Sequence, residues 1–192
     1  MGDAKTIFGY VGILLLVAGY VPYIRDVFRG TTKPHAFSWF IWSILNVIVL
    51  AAQMMNDAGP GAWVTAGTGI ACFMIFLFAL IKGDRHFAPI DWLFLGAAGI
   101  SLALWRLTNN ALLAVILVTI ADAIGFLPTF RKGFHKPQEE TLSLYVLSTL
   151  KSAAGVLALS SYGWITALHP ASLIVSNTLC AIMLIIRRRY VR

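Results

Sequence analysis

Two ionisable residues stand where a chain this apolar has little reason to keep them. Asp122 falls midway along one apolar stretch and Lys151 midway along the next. At the centre of a membrane helix an Asp or Lys costs about 2.5–3.5 kcal/mol on insertion scales, so each needs a partner or a task. If the two helices are antiparallel neighbours their depths match. The pair is then a buried ion pair that fixes helix register, two groups held neutral by burial, or a site for a substrate or a proton. The last reading gains weight because earlier in the chain the roughly equivalent places hold Leu16 and Asn46. A register device would be expected about as readily in either half.

Lys151 does not stand alone on its helix. Ser148, Lys151, Ser152 and Gly155 recur at spacings of three and four, which puts them on one stripe. Thr119, Asp122 and Phe126 do the same in the preceding stretch, and Ser172, Ser176 and Cys180, with Asn177 beside them, in the following one. Trp42, Asn46 and Gln53 lie along an earlier stretch. Small residues usually mark close helix packing in membranes, and that role is assigned to Ser152, Gly155 and Ser172. Asn46 and Asn177 differ, because a carboxamide has four hydrogen-bond positions to satisfy and is harder to hide than a hydroxyl. Asn46, Asp122, Lys151 and Asn177 are therefore expected to bind solute at mid-depth. The lysine favours an anionic or strongly hydrogen-bonding solute.

The elements that position these residues are read from hydropathy. Of 192 residues 59% are apolar and only 12% charged, and the mean hydropathy is +0.80. Ordinary globular chains run at about 45–50% apolar and about 25% charged, so this surface must be solvated by lipid. Seven apolar stretches are predicted: 6–24, 37–55, 63–81, 91–107, 111–130, 141–161 and 164–186. The connectors after the second, fourth and sixth are tight turns. The other connectors and the C-terminal end carry Arg25, Arg29, Lys33, Lys82, Arg85, Arg131, Lys132, Lys136, Arg187, Arg188, Arg189 and Arg192, while the opposite side has only Lys5 and Arg106. The positive-inside rule then puts the N-terminus outside and the C-terminus in the cytosol, in keeping with an odd number of spans. Span one reads as a retained helix with no cleaved signal peptide. Together with the short connectors, this points to a prokaryotic inner membrane.

The chain repeats itself. Gly19-Tyr20-Val21-Pro22-Tyr23-Ile24-Arg25 is echoed by Gly125-Phe126-Leu127-Pro128-Thr129-Phe130-Arg131, and Lys33-Pro34-His35-Ala36-Phe37-Ser38 by the segment from Lys136-Pro137 to Leu142-Ser143. The expected architecture is all-α: two parallel three-helix bundles joined by a linker helix (3+1+3), with units at 1–86, 87–110 and 111–192. Parallel repeats about an axis along the membrane normal are a known transporter plan, with the solute site near the midplane.

A proline closing the first helix of each unit, a basic loop and a helix opening on Ser make the chain resemble the PQ-loop superfamily, whose seven-helix sugar-transporter branch is called SWEET. The glutamine of the family's PQ pair is Tyr23 in one unit and Thr129 in the other. The resemblance implies a pocket lined by an asparagine from the third helix of a unit, matching Asn177, and an aromatic from the second, matching Trp42. The counterpart of Asn177 in span three falls near Gly67 or Thr68. It also implies that Pro22 and Pro128, ending their helices beside Tyr23 and Thr129, hinge and gate the inner mouth.

Other classes find little support. Cys72 and Cys180 lie in apolar runs and read as small hydrophobes, with no disulfide inferred. His35, His86, His135 and His169 are scattered without metal-ligand spacing, so no metal or cofactor is expected. No enzyme signature is found. Once topology explains the arginines, nucleic-acid binding has no basis. The expected function is transport of a small polar solute, a sugar or small anionic metabolite, by alternating access. The expected partners are that solute and the lipid bilayer. One chain holds both units, so a monomer suffices, and a homo-oligomer stays open. Two alternatives stand: a receptor or sorting protein resembling the KDEL-retrieval receptors, and a structural membrane subunit.

Overall fold

The computed structural model describes residues 2–85 and 89–190, so His86, Arg192 and the boundary between the first two expected units lie outside the described residues. Seven α-helices follow in order: α1 (Gly2–Phe28), α2 (Ala36–Met54), α3 (Gly61–Lys82), α4 (Pro89–Thr108), α5 (Ala111–His135), α6 (Leu142–Leu157) and α7 (Trp164–Tyr190). A single 3₁₀ turn, Pro137–Glu139, stands before α6, and no strand occurs among the described residues. Five helices, α1, α2, α3, α5 and α7, are long and apolar enough to cross a membrane. The surface agrees with that. Leu14, Val47, Ile70, Ile81, Leu93, Leu107 and Leu179 are among many large apolar side chains facing outward, an arrangement water does not tolerate over large contiguous areas.

Each predicted stretch coincides with a helix, and local chemistry explains the starts of two of them. Asn110 caps α5, its Oδ1 accepting from the Leu113 N–H at 3.1 Å, after Asn109 has turned the chain at φ 55°. Before α7, the Thr166 hydroxyl donates to Ser161 O at 2.8 Å and accepts from the Gly163 N–H at 3.1 Å. α6 is shorter than predicted, because the chain leaves the helix after Leu157 although Ala158 and Leu159 remain apolar and fully buried.

The prolines require a correction. Pro22 and Pro128 do not end their helices: α1 runs on to Phe28 and α5 to His135. A proline removes one intrahelical hydrogen bond without ending a helix whose neighbours can satisfy the freed group. Pro170, inside α7, shows how. It has no N–H to give the carbonyl four residues back, that of Thr166, and Gln53 on α2 fills the place, its Nε2 donating to Thr166 O at 2.8 Å.

In lateral order α3 packs against both α1 and α2, and α7 against both α5 and α6. Across the molecule α1 meets α6 and α2 meets α5, while α4 packs on α5 and α2. One core gathers Tyr20, Trp39 and Ile75 from α1, α2 and α3, and another gathers Phe126, Tyr145 and Leu184 from α5, α6 and α7. Where α1, α3 and α6 converge, glycine is required. A Cβ on Gly12 would lie 2.5 Å from Val64 Cγ2, and one on Gly61 would lie 2.8 Å from Gly155 O. A Cβ on Gly155 would lie 3.3 Å from Val64 Cβ, a tight contact in keeping with the packing role expected of it.

Gln53→Leu is expected to lower stability in the presence of Pro170 and to matter less in a Pro170→Ala background, where the helix regains its own donor. Thermal unfolding of the four proteins in detergent should give a coupling of about 1 kcal/mol, and independent effects would refute the contact's role.

Candidate functional site

A cavity of about 860 Å³ opens between the two groups of helices. Its mouth lies among the connectors after α1, α3 and α5, where Thr31, Lys33, Asp84, Lys136 and Glu139 are exposed. Its interior is lined by Trp42, Asn46, Asp122, Lys151 and Asn177, so all five residues expected to bind solute face one space. Tyr23 and Thr129 line it as well. Pro22 lies inside α1, one residue from Tyr23, and is not part of the lining, while Pro128 lies within the bounds of α5 beside Thr129.

Helical register delivers these side chains. Lys151 is central on the buried stripe of α6, with Ser148 and Ser152 buried beside it. Its ammonium reaches across to α3, donating to Thr68 Oγ1 at 3.0 Å, while the Thr68 hydroxyl donates to Val64 O at 2.7 Å. Thr68 is one of the two positions matched with Asn177 from sequence, and here it joins the site as the lysine's acceptor. Asp122 is 3% exposed, like Lys151, and its Oδ2 is buried without a hydrogen-bond partner. Asn46 and Asn177 each donate through Nδ2 to the carbonyl one turn back on their own helix, Trp42 O and Leu173 O, both at 2.8 Å.

Asp122 and Lys151 share the cavity but make no ion pair. The expectation of direct pairing assumed that α5 and α6 were neighbours. Instead α7 is the neighbour that both pack against. Ionic pairing occurs nearer the mouth. Lys132 Nζ lies 2.9 Å from Glu140 Oε1, the Tyr145 hydroxyl donates to Glu140 Oε2 at 2.6 Å, and Lys136 lies 3.2 Å from Glu139. Arg188 donates to the carbonyls of Pro137 and Glu140, so a residue read from sequence as a topology signal also holds the turn before α6.

One wall is aromatic. Trp39 and Trp42 meet edge to face at 5.1 Å, Tyr23 packs on Trp39 at 5.2 Å, and Trp42 reaches Phe126 across the α2–α5 contact at 5.9 Å. Trp39, Tyr20 and Tyr145 were not among the expected site residues. The three-residue step from Trp39 to Trp42 was the available signal, since it puts both rings on the face that carries Asn46.

The opposite end is sealed. There the α2–α3 and α6–α7 connectors pair through their backbones, Ser160 N–H donating to Ala58 O at 2.9 Å and Gly61 N–H to Ala158 O at 3.2 Å. Lys5 Nζ closes over them, donating to Ser160 O at 3.1 Å. Gly59 turns at φ 60° directly against Ser160, where a side chain would collide with the serine.

A cysteine introduced at Thr129, in a chain with Cys72 and Cys180 changed to Ala, should react with a membrane-impermeant thiol reagent from the mouth side. It should do so roughly tenfold or more faster than a cysteine at Ala58, which only local opening exposes. Equal rates would contradict a one-sided cavity. No family model, no curated protein and no solved structure matches the chain.

Proposed function

We propose that the chain is a membrane transporter that moves a small polar solute, a sugar or small anionic metabolite, by alternating access between two three-helix repeats. The observation that carries this reading is the polar cavity, open among the connectors at one end and closed by direct contact between two connectors at the other. Such a space admits solute from one face only, and its use in transport requires the seal and the mouth to exchange.

The packing supports a 3+1+3 arrangement. α3 stands between α1 and α2 as α7 stands between α5 and α6, and the α1–α6 contact has its counterpart in α5–α2. A two-fold relation of this kind makes the sealing turns equivalent to each other. It also makes the connectors at the mouth equivalent, so each end can close by the same type of contact. The arrangement is similar to that of SWEET-like members of the PQ-loop superfamily. On this reading Tyr23 and Thr129, lining the cavity toward the mouth, belong to the inner gate. Pro22 and Pro128 would loosen α1 and α5 there, each by one missing intrahelical bond. The excess of Lys and Arg in the connectors after α1, α3 and α5 supports a cytosolic mouth by the positive-inside rule.

Flux into proteoliposomes, comparing neutral sugars with small anions, with and without a pH gradient, tests the reading. Lys151→Met should abolish flux while circular dichroism and elution volume stay unchanged; unchanged flux would remove the lysine from the mechanism. Binding without any flux would favour a receptor, in which the lysine holds a peptide carboxylate. A cysteine pair at Ala58 and Ser160 should stop transport when oxidised and restore it on reduction, whereas transport through the oxidised protein would refute alternating access at this seal.

A further inference from the structure

The charges lining the cavity are distributed unevenly with depth. Toward the mouth, opposite charges meet: Lys132 with Glu140 and Lys136 with Glu139. Deep inside, one carboxylate and one ammonium share the space with no ion-pair partner, although each is 3% exposed. Lys151 gives one N–H to Thr68, a neutral hydroxyl, and two N–H donors remain. Asp122 Oδ2 has no hydrogen-bond partner. The carboxamides of Asn46 and Asn177 direct an N–H to their own helices, which leaves both amide oxygens as acceptors.

Each class of solute meets this arrangement differently. A monoanion satisfies Lys151 but leaves Asp122 alone and brings a like charge beside it. A monocation does the reverse. A neutral sugar hydrogen-bonds to both and neutralises neither. A molecule carrying one charge of each sign satisfies both at once and leaves the net charge of the site unchanged. Its ammonium would also face the aromatic wall, where the Trp42 ring offers a cation a favourable surface.

We propose that the solute is a small zwitterion, an α-amino acid, bound with its carboxylate toward Lys151 and Thr68 and its ammonium toward Asp122. This rests on the cavity being the solute site of the transporter reading, and it replaces the sugar or anion of that reading with a zwitterion.

The test is binding to the purified full-length chain in lipid nanodiscs, by titration calorimetry, with the twenty common α-amino acids screened singly. Each amino acid that binds is compared with its N-acetyl derivative, which lacks the cation, and its methyl ester, which lacks the anion. Lactate and glucose serve as singly charged and neutral references. At least one amino acid should bind, and capping either end should weaken it by roughly tenfold or more, the loss of one charge-assisted contact. Asp122→Asn should weaken the amino acid in the same way while sparing or improving lactate. The capped ligands make the same test on the unaltered protein should that variant fail to fold. Absence of binding by any amino acid, equal affinity of capped forms, or preference for glucose or lactate would overturn the proposal. Flux separates the two readings. Amino-acid binding without flux would keep the zwitterion site and remove the transporter, whereas flux of sugar or anion without amino-acid binding would do the opposite.

Discussion

Hydrocarbon cannot hydrogen-bond, and nearly every feature of this molecule answers that constraint. Backbone groups close on themselves in helices, and where a proline breaks the ladder a neighbouring side chain completes it, as Gln53 does for Thr166 beneath Pro170. Outward-facing positions are apolar, while Asn46, Thr68, Asp122, Ser148, Lys151 and Asn177 are buried facing a common interior space. Other buried polar residues, among them Gln53, Ser101, Thr166 and His169, lie outside that lining.

The two ends of the molecule use different physics. One end closes by close approach: glycines let backbones touch, connectors hydrogen-bond to each other, and no charge except Lys5 takes part in the hydrogen bonds described there. The other end stays wide and is braced by charge, with Glu140 holding Lys132 and Tyr145 while Arg188 grips the carbonyls around it. Glu140 is buried and fully engaged, so the turn that leads into α6 is held to both α5 and α7. The helix that carries Lys151 is thereby fixed at its mouth-side end.

Much of this was legible in the sequence, and the failures have physical causes. Hydropathy located all seven helices, because apolar runs of this length have few alternatives. It overran the end of α6, since Ala158 and Leu159 are as buried as any helical residue; hydropathy reports burial, and burial does not require a helix. The helical stripes were readable too, and Asp122, Lys151, Asn46 and Asn177 line one space. Lateral order was not. A helical period says which face a residue occupies but not which helix stands next to it, so the direct pair gave way to two residues on either side of a cavity. The prolines misled for a related reason: helix breaking is a property learned in water, where nothing compensates within the fold. The roles of Lys132 and Arg188 in holding the segment before α6 were hidden behind their plain meaning as topology signals.

The short sixth helix has an electrical consequence. From Lys151 to Leu157 the chain rises about 9 Å, against a hydrocarbon thickness of about 30 Å. With water filling the cavity as far as the lysine, the membrane potential falls across the sealed layer alone, and the local field there is about three times that of a uniform bilayer. Each net charge crossing that layer would then do nearly the whole work of the transmembrane voltage, about 2.3 kcal/mol per 100 mV. On the transporter reading, a solute whose charges cancel would cross it without that work, and its movement would follow its concentration and not the voltage.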